Sequence, residues 1–223
     1  MKTSRIYAVA AVLSIVVAAI PVAYPGLDLA VAHYFLQIPA PVKTGDWWWV
    51  NWINEYTPTV FRSLAVASLL MWWITDRNPR WKSWAVPSAF VGLALVIGPG
   101  LLVGSAKEIT LRARPFHVTE FAGTQQFSPA LTIVNQCSDN CAFVSGHTAD
   151  GFFLASLMLI FPRRRWWWLT AGVLSGVVIG FARISVGAHW LSDALWAFPI
   201  TLLGSWLVYV AFLRLGWLKA GSE

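Results

Sequence analysis

The stretch WAVPSAFVGLALVIGPGLLVGSA, residues 84–106, contains no charged side chain. A helix needs about 20 mostly apolar residues to cross a bilayer core about 30 Å thick, and this stretch meets that requirement. Five further segments read the same way: 6–24, 57–75, 146 to just before Pro162, 166–186 and 191–213. The segment from 146 is the shortest and carries His147 and Asp150 at its start. Composition agrees with this reading. Hydrophobic residues make up 57% and charged residues 12% of 223 residues, with 15 Trp and 13 Phe, more large apolar side chains than one water-facing core can hold. Mean hydropathy is +0.61. Such a chain is neither disordered nor, with two Cys, a disulfide scaffold. The net charge of +6 comes from short, scattered basic groups rather than one stripe, so no nucleic-acid partner is expected. The fold class is an all-α integral membrane protein of six transmembrane helices in a single membrane domain, 1–223.

Lys2 and Arg5 ahead of an apolar run resemble a signal peptide. The run is longer than a typical signal core, and no small-x-small cleavage site follows it, so it reads as a retained first helix. Basic residues then set the orientation. With the N-terminus in the cytoplasm, that side collects Lys2, Arg5, Arg77, Arg80, Lys82, Arg163, Arg164, Arg165, Arg214 and Lys219. Both termini are then cytoplasmic, and two long loops, 25–56 and 107–145, face outward. Within the first loop, 28–36 has near-helical apolar spacing and reads as a short helix on the outer face. Trp47–Trp49 and Trp166–Trp168 read as interfacial anchors. Cys137 and Cys141 fall in the second outer loop, where a disulfide, reduced thiols or a metal pair are the open readings. An oxidising compartment and the lack of an adjacent His favour the disulfide.

The chemistry collects on the outer side. Lys107 and Arg114 follow the third span, Ser145, Gly146 and His147 open the fourth, and Arg183, His189 and Asp193 flank the junction of the fifth and sixth. Ionisable groups at the edge of spans are expensive and point to function. Three cations around one point suit a multiply charged anion; taken alone, Lys107 reads as a snorkelling residue. The N–H groups opening a helix at Ser145-Gly146-His147 form an anion site, although Ser145 alone reads as an N-cap. His189 and Asp193 are four apart, which on a helix puts them on one face. The carboxylate would then fix the imidazole tautomer and free the other nitrogen. Arg112, four residues after Glu108, reads as a helix-surface pair. His147, Asp150, His189 and Asp193 form a conceivable metal set, but the three cations oppose a divalent ion. No metal and no cofactor is expected.

The three parts together, Lys107 to Arg114-Pro115, Ser145-Gly146-His147, and Arg183 to His189 to Asp193, resemble the signature of the type 2 phosphatidic acid phosphatase (PAP2) superfamily, which also holds vanadium haloperoxidases. Val144 stands where Pro usually precedes Ser-Gly-His, and Ala182 where Ser usually precedes Arg. The resemblance implies a PAP2-type bundle and a metal-independent hydrolysis of a lipid phosphate. Lys107, Arg114, Ser145, Gly146 and Arg183 would bind the phosphate. His189, oriented by Asp193, would attack phosphorus to give a phosphohistidine, and His147 would act as acid and then base. The run from Cys137 to Gly146 resembles the branch of lipid A phosphatases, especially those acting on the 4′-phosphate. Isoprenyl pyrophosphate and phosphatidylglycerol phosphate are substrates of neighbouring branches, and a phosphotransferase would share the same intermediate. The partner implied is a phosphorylated membrane lipid, met at the periplasmic face of a bacterial inner membrane. A small transporter or scaffold would fit the composition and predicts paired halves or Gly/Pro-broken helices; no repeat is found, Pro99 in the third span is the one hint of a break, and the outer polar set is left unexplained.

Overall fold

The computed structural model describes residues 3–37 and 43–218. Lys2 and Lys219, counted above among the cytoplasmic cations, lie outside the described residues, as do both chain ends. Eight α-helices follow one another among the described residues: α1 Thr3–Ala23, α2 Gly26–Leu36, α3 Trp48–Arg77, α4 Ala85–Leu95, α5 Val103–Thr110, α6 Gly146–Ser156, α7 Arg165–Ser185 and α8 Leu191–Arg214. No named strand occurs among the described residues; Val118 and Gln125 form an isolated bridge.

The charge-free stretch is one continuous helical path from α4 to α5, interrupted by a wider π-helical turn at Val96–Leu102. Pro99 lies in that turn and has no N–H to give, so the regular ladder cannot run through it. The turn lets α8 approach closely. A Cβ on Gly204 would come within 2.5 Å of the Gly98 Cα, so backbone meets backbone at this crossing. The same device joins α6 to α7. Gly172, Gly176 and Gly180 recur every fourth residue and form one face of α7. A Cβ on Gly172 would stand 2.2 Å from the Ala155 nitrogen, and one on Gly176 would stand 2.2 Å from the Phe152 ring. Helix α1 packs into the bundle through Tyr7, whose hydroxyl donates to the Leu202 carbonyl at 2.7 Å while its ring stacks on Trp206. On the outside, Val12, Leu70, Trp73, Leu174, Leu203 and Leu207 are exposed, as a lipid-facing surface requires.

Among the described residues, five helical stretches are long and apolar enough to cross a membrane: Thr3–Ala23, Trp48–Arg77, Pro79–His117, Pro162–Ser185 and Leu191–Arg214. The segment from 146, expected as the fourth of six spans, is not among them. Helix α6 has 11 residues and passes into a tight turn at Leu157–Leu159. It advances about 16 Å at 1.5 Å per residue, roughly half the hydrocarbon core. Its apolar side chains answer to another demand, because Phe152, Phe153 and Ala155 are buried against protein rather than lipid. The second span is longer than the expected 57–75, since α3 begins at Trp48 and absorbs the end of the predicted outer loop. The helix expected at 28–36 is α2, and it is not simply laid on the surface, because Asp28 and Ala32 are buried.

The bundle has two distinct ends. Arg165 donates to Thr3 Oγ1 at 3.3 Å, and the Trp72 and Trp217 rings lie 5.7 Å apart. The start of α1, the end of α3, the start of α7 and the end of α8 therefore share one end, with the basic residues around 77–82 and 163–165. The opposite end carries α2, the loop 111–145 and the starts of α6 and α8. Cys137 and Cys141 are joined as a disulfide within that loop, with Cα atoms 5.6 Å apart.

Candidate active site

The starts of α6 and α8 are tied together. The Ser145 N–H donates to the Asp193 carbonyl at 3.1 Å, so the two helix N-termini cannot separate. Asp193 sits in the first turn of α8, where its Oδ2 accepts from the Trp190 N–H at 2.8 Å as a capping carboxylate. Its Oδ1 accepts from Arg112 Nη1 at 2.6 Å.

His189 precedes α8, so it does not share a helical face with Asp193 as the four-residue spacing suggested. Its Nδ1 lies 2.8 Å from the Ala142 carbonyl and 3.5 Å from Asp193 Oδ2. The carbonyl accepts only from an N–H, so it fixes the Nδ1-protonated tautomer and leaves the lone pair on Nε2. The Asp193 carboxylate is the more distant neighbour of the ring. Burial holds the His189 imidazole well below its ordinary pKa, reinforced by Lys107, Arg183, Arg114 and His147 around it. The ring is thus neutral, fixed in one tautomer and surrounded by cations.

Arg112 is the main correction at the residue level. It is not a surface partner of Glu108, because α5 ends at Thr110 and Leu111 takes a left-handed turn at φ 45. The chain reverses there and carries the guanidinium inward, where it is fully buried. Its Nη2 donates to Asp28 Oδ2 at 2.8 Å, its Nη1 to Asp193 Oδ1 and Ser192 Oγ, and its Nε to the Ser128 carbonyl at 2.9 Å. Asp28 completes the network by accepting from the Ser192 N–H at 2.8 Å and the Ser192 hydroxyl at 2.5 Å. The guanidinium lies 5.3 Å above the Trp190 ring. Two buried carboxylates on one guanidinium, with the remaining polar atoms bonded, fix the ground beneath His189.

The other three cations are bonded differently. Lys107 Nζ donates to the Cys141 carbonyl and, at 3.3 Å, to Asn140 Oδ1. Arg114 grips the Asn140 carbonyl through Nε at 3.0 Å and Nη2 at 2.7 Å. Arg183 donates to Asn54 Oδ1 at 2.8 Å, while its buried Nε has no partner among the described residues. Every one of these acceptors is a neutral oxygen. Among the described residues, none of the three cations pairs with a carboxylate. At an effective dielectric of 20, a unit pair at 4 Å is worth about 4 kcal/mol, so uncompensated cations here attract an anion strongly.

Ser145 is buried and caps α6, accepting from the Thr148 N–H at 3.4 Å and the Thr148 hydroxyl at 2.8 Å. Its own O–H remains to donate. The N–H groups of Gly146 and His147 open the helix without intrahelical acceptors. A Cβ at Gly146 would meet only Val103, at an ordinary 3.8 Å, so packing does not demand glycine there. His147 Nε2 lies 3.1 Å from the Asn54 carbonyl. Asn54 on α3 thus holds His147 by its backbone and Arg183 by its side chain. Asp28, Asn54 and Asn140 had no assigned role in the sequence. Asp28 carried a signal, being an acid in an otherwise apolar segment. The other two act largely through carbonyl or amide oxygens that no motif marks. Among the described residues no three His, Cys, Asp or Glu side chains cluster as metal ligands do.

One end of the helical bundle gathers three cations that pair with no carboxylate, a helix N-terminus and a neutral histidine, an arrangement that can receive an oxyanion. Residues 87–217 match the model of the PAP2 superfamily, which is more than half of the chain, and the chain belongs to that superfamily. It is 29% identical over 198 residues to a lipid A 4′-phosphatase of Francisella tularensis subsp. novicida, covering 86% of this chain and 88% of that one. It is 32% identical to a lipid A 1-phosphatase of Rhizobium johnstonii, covering 81% of this chain and 72% of the relative. The crystal structure of a transmembrane PAP2-type phosphatidylglycerolphosphate phosphatase from Bacillus subtilis has the same fold. It superposes with a TM-score of 0.57 at 17% identity, covering 96% of this chain and 99% of that one.

Proposed function

We infer that the protein is a lipid phosphatase that removes a phosphomonoester from a membrane glycolipid, with lipid A, and its 4′-phosphate in particular, as the substrate. The observation that carries this reading is the set of Lys107, Arg114 and Arg183, bonded only to neutral oxygens around His189. The lipid A phosphatases among its relatives supply the substrate class.

In the proposed reaction the three cations, the Ser145 O–H and the Gly146 N–H hold the phosphate oxygens. His189 Nε2 attacks phosphorus, and the bond from phosphorus to the lipid oxygen breaks as the N–P bond forms. His147, taking up a proton as the bound phosphate's negative charge offsets the cations around it, gives that proton to the leaving oxygen and exchanges its Asn54 contact for the substrate. A water then loses a proton to His147 and attacks the phosphohistidine, which releases inorganic phosphate and restores Nε2. The cations stabilise charge on the equatorial oxygens throughout. Asp193 acts behind the ring, through the Trp190 backbone and Arg112.

The proposed setting is the bacterial inner membrane, with the site facing the periplasm and both termini in the cytoplasm. Chain geometry supports an even number of crossings. Helix α6 starts at the site end and α7 at the basic end beside Thr3, so a sixth crossing would run through residues 146–165 although α6 alone is short. The test is phosphate release by the purified protein in detergent with EDTA, on lipid A, an isoprenyl pyrophosphate and phosphatidylglycerol phosphate side by side. Preferred release from lipid A is expected. Preference for another lipid would overturn the substrate and keep the chemistry, and release abolished by EDTA would overturn the metal-free mechanism.

A further inference from the structure

The outer loop holds a second feature that the phosphate chemistry does not use. A cleft of about 520 Å³ opens in this loop, walled by Phe116, His117, Gln125, Asn135, Ser138 and Asp139. Its position relative to the phosphate cradle is fixed covalently. Asp139 adjoins Asn140, whose carbonyl is gripped by Arg114, and the Cys137–Cys141 disulfide closes the short loop that carries both. The cleft therefore adjoins the residue that both Lys107 and Arg114 grip.

The walls are preformed. The Thr124 and Gln125 N–H groups both donate to the His117 carbonyl, at 2.9 and 2.8 Å, and the Gln126 N–H donates to Gln136 Oε1 at 2.9 Å. The Phe116 and His117 rings meet edge to face with centroids 4.4 Å apart. Among the described residues, the side chains of Gln125, Asn135 and Ser138 bond to no other residue, although all three face the cleft.

The chemistry of this lining selects its ligand. Two amides and a hydroxyl each donate and accept, which matches groups that do both, such as the hydroxyls of a sugar. Asp139 adds a carboxylate that accepts from hydroxyls and repels a second phosphate. Phe116, partly exposed at 42%, offers an apolar face to a ring. An acyl chain would strand these polar groups without partners, and a bare glycerol headgroup would leave most of the volume empty.

We propose that this cleft is a sugar subsite that binds the pyranose headgroup of the glycolipid whose phosphate is held by the cations. The proposal rests on the lipid-phosphatase reading above and adds the source of its preference for a glycolipid. The test uses the full chain in detergent, with Gln125→Ala, Asn135→Ala and the double variant, on lipid A and on dioleoyl phosphatidic acid. Losing one or two hydrogen bonds to the headgroup should lower kcat/KM on lipid A about tenfold, with phosphatidic acid within about twofold of the parent. Unchanged turnover of lipid A, or equal losses on both lipids, would overturn the subsite. A second readout is free of turnover: equilibrium binding of phosphate-free lipid A, with phosphatidylethanolamine as the control lipid. Weaker binding of the phosphate-free glycolipid by Asn135→Ala supports the cleft, and identical binding contradicts it. If the parent releases phosphate from neither lipid while this binding remains sensitive to Asn135, the phosphatase reading fails and the sugar subsite stands.

Discussion

The setting of His189 is built by residues far from it in sequence. Ala142 sets the tautomer, while Arg112 and Asp28 hold the helix start behind it. The three-part motif was legible because each part is short and local. The Asp28–Arg112–Asp193 network was not, because its members come from three distant segments. Arg112 was misread because its spacing from Glu108 assumed a helix that in fact stops at Thr110. The network makes a prediction at this scale. Asp28→Asn keeps the volume but weakens the charge-assisted hydrogen bonds from Arg112 and Ser192, which should destabilise the protein by about 2 kcal/mol. Arg112→Lys keeps the charge but cannot reach both carboxylates from one ammonium. In thermal melts in detergent both variants should melt earlier, and kcat should fall with little change in KM, as expected of residues that position rather than bind. Parent-like melts and kcat in both would remove the network from the account.

Among the elements, apolar runs predicted the long helices well because a span must satisfy the bilayer along its whole length. Helix α6 departed from that logic. Its apolar residues face α7 and α8, so hydropathy could not tell a protein-facing helix from a lipid-facing one. The glycine face of α7 explains how α6 comes close enough to present His147 beside Arg183. Gly172→Ala places a Cβ where the Ala155 nitrogen stands at 2.2 Å, whereas a Cβ on Gly104 meets nothing within 4 Å. Gly172→Ala is therefore expected to lower the melting temperature clearly and reduce turnover. Gly104→Ala should match the parent or exceed it slightly, in line with a helix preference of up to about 1 kcal/mol. Equal behaviour of the two variants would show that the α6–α7 contact is looser than described.

For the whole molecule, the basic end and the reactive end lie at opposite poles of one bundle, so the membrane orientation decides which lipid leaflet the site can reach. Single cysteines report that orientation, because Cys137 and Cys141 are bonded to each other and leave no free thiol among the described residues. Lys82→Cys should resist, and Asp46→Cys should accept, an impermeant thiol reagent applied to spheroplasts; the reverse pattern would put the site in the cytoplasm. The central claim is that His189 carries the phosphoryl group, and rapid acid-free quenching with ³²P-labelled lipid A tests it most directly. The account predicts an acid-labile, base-stable label on the peptide containing His189, absent from His189→Gln. Label on another residue, or undiminished turnover in His189→Gln, would contradict it.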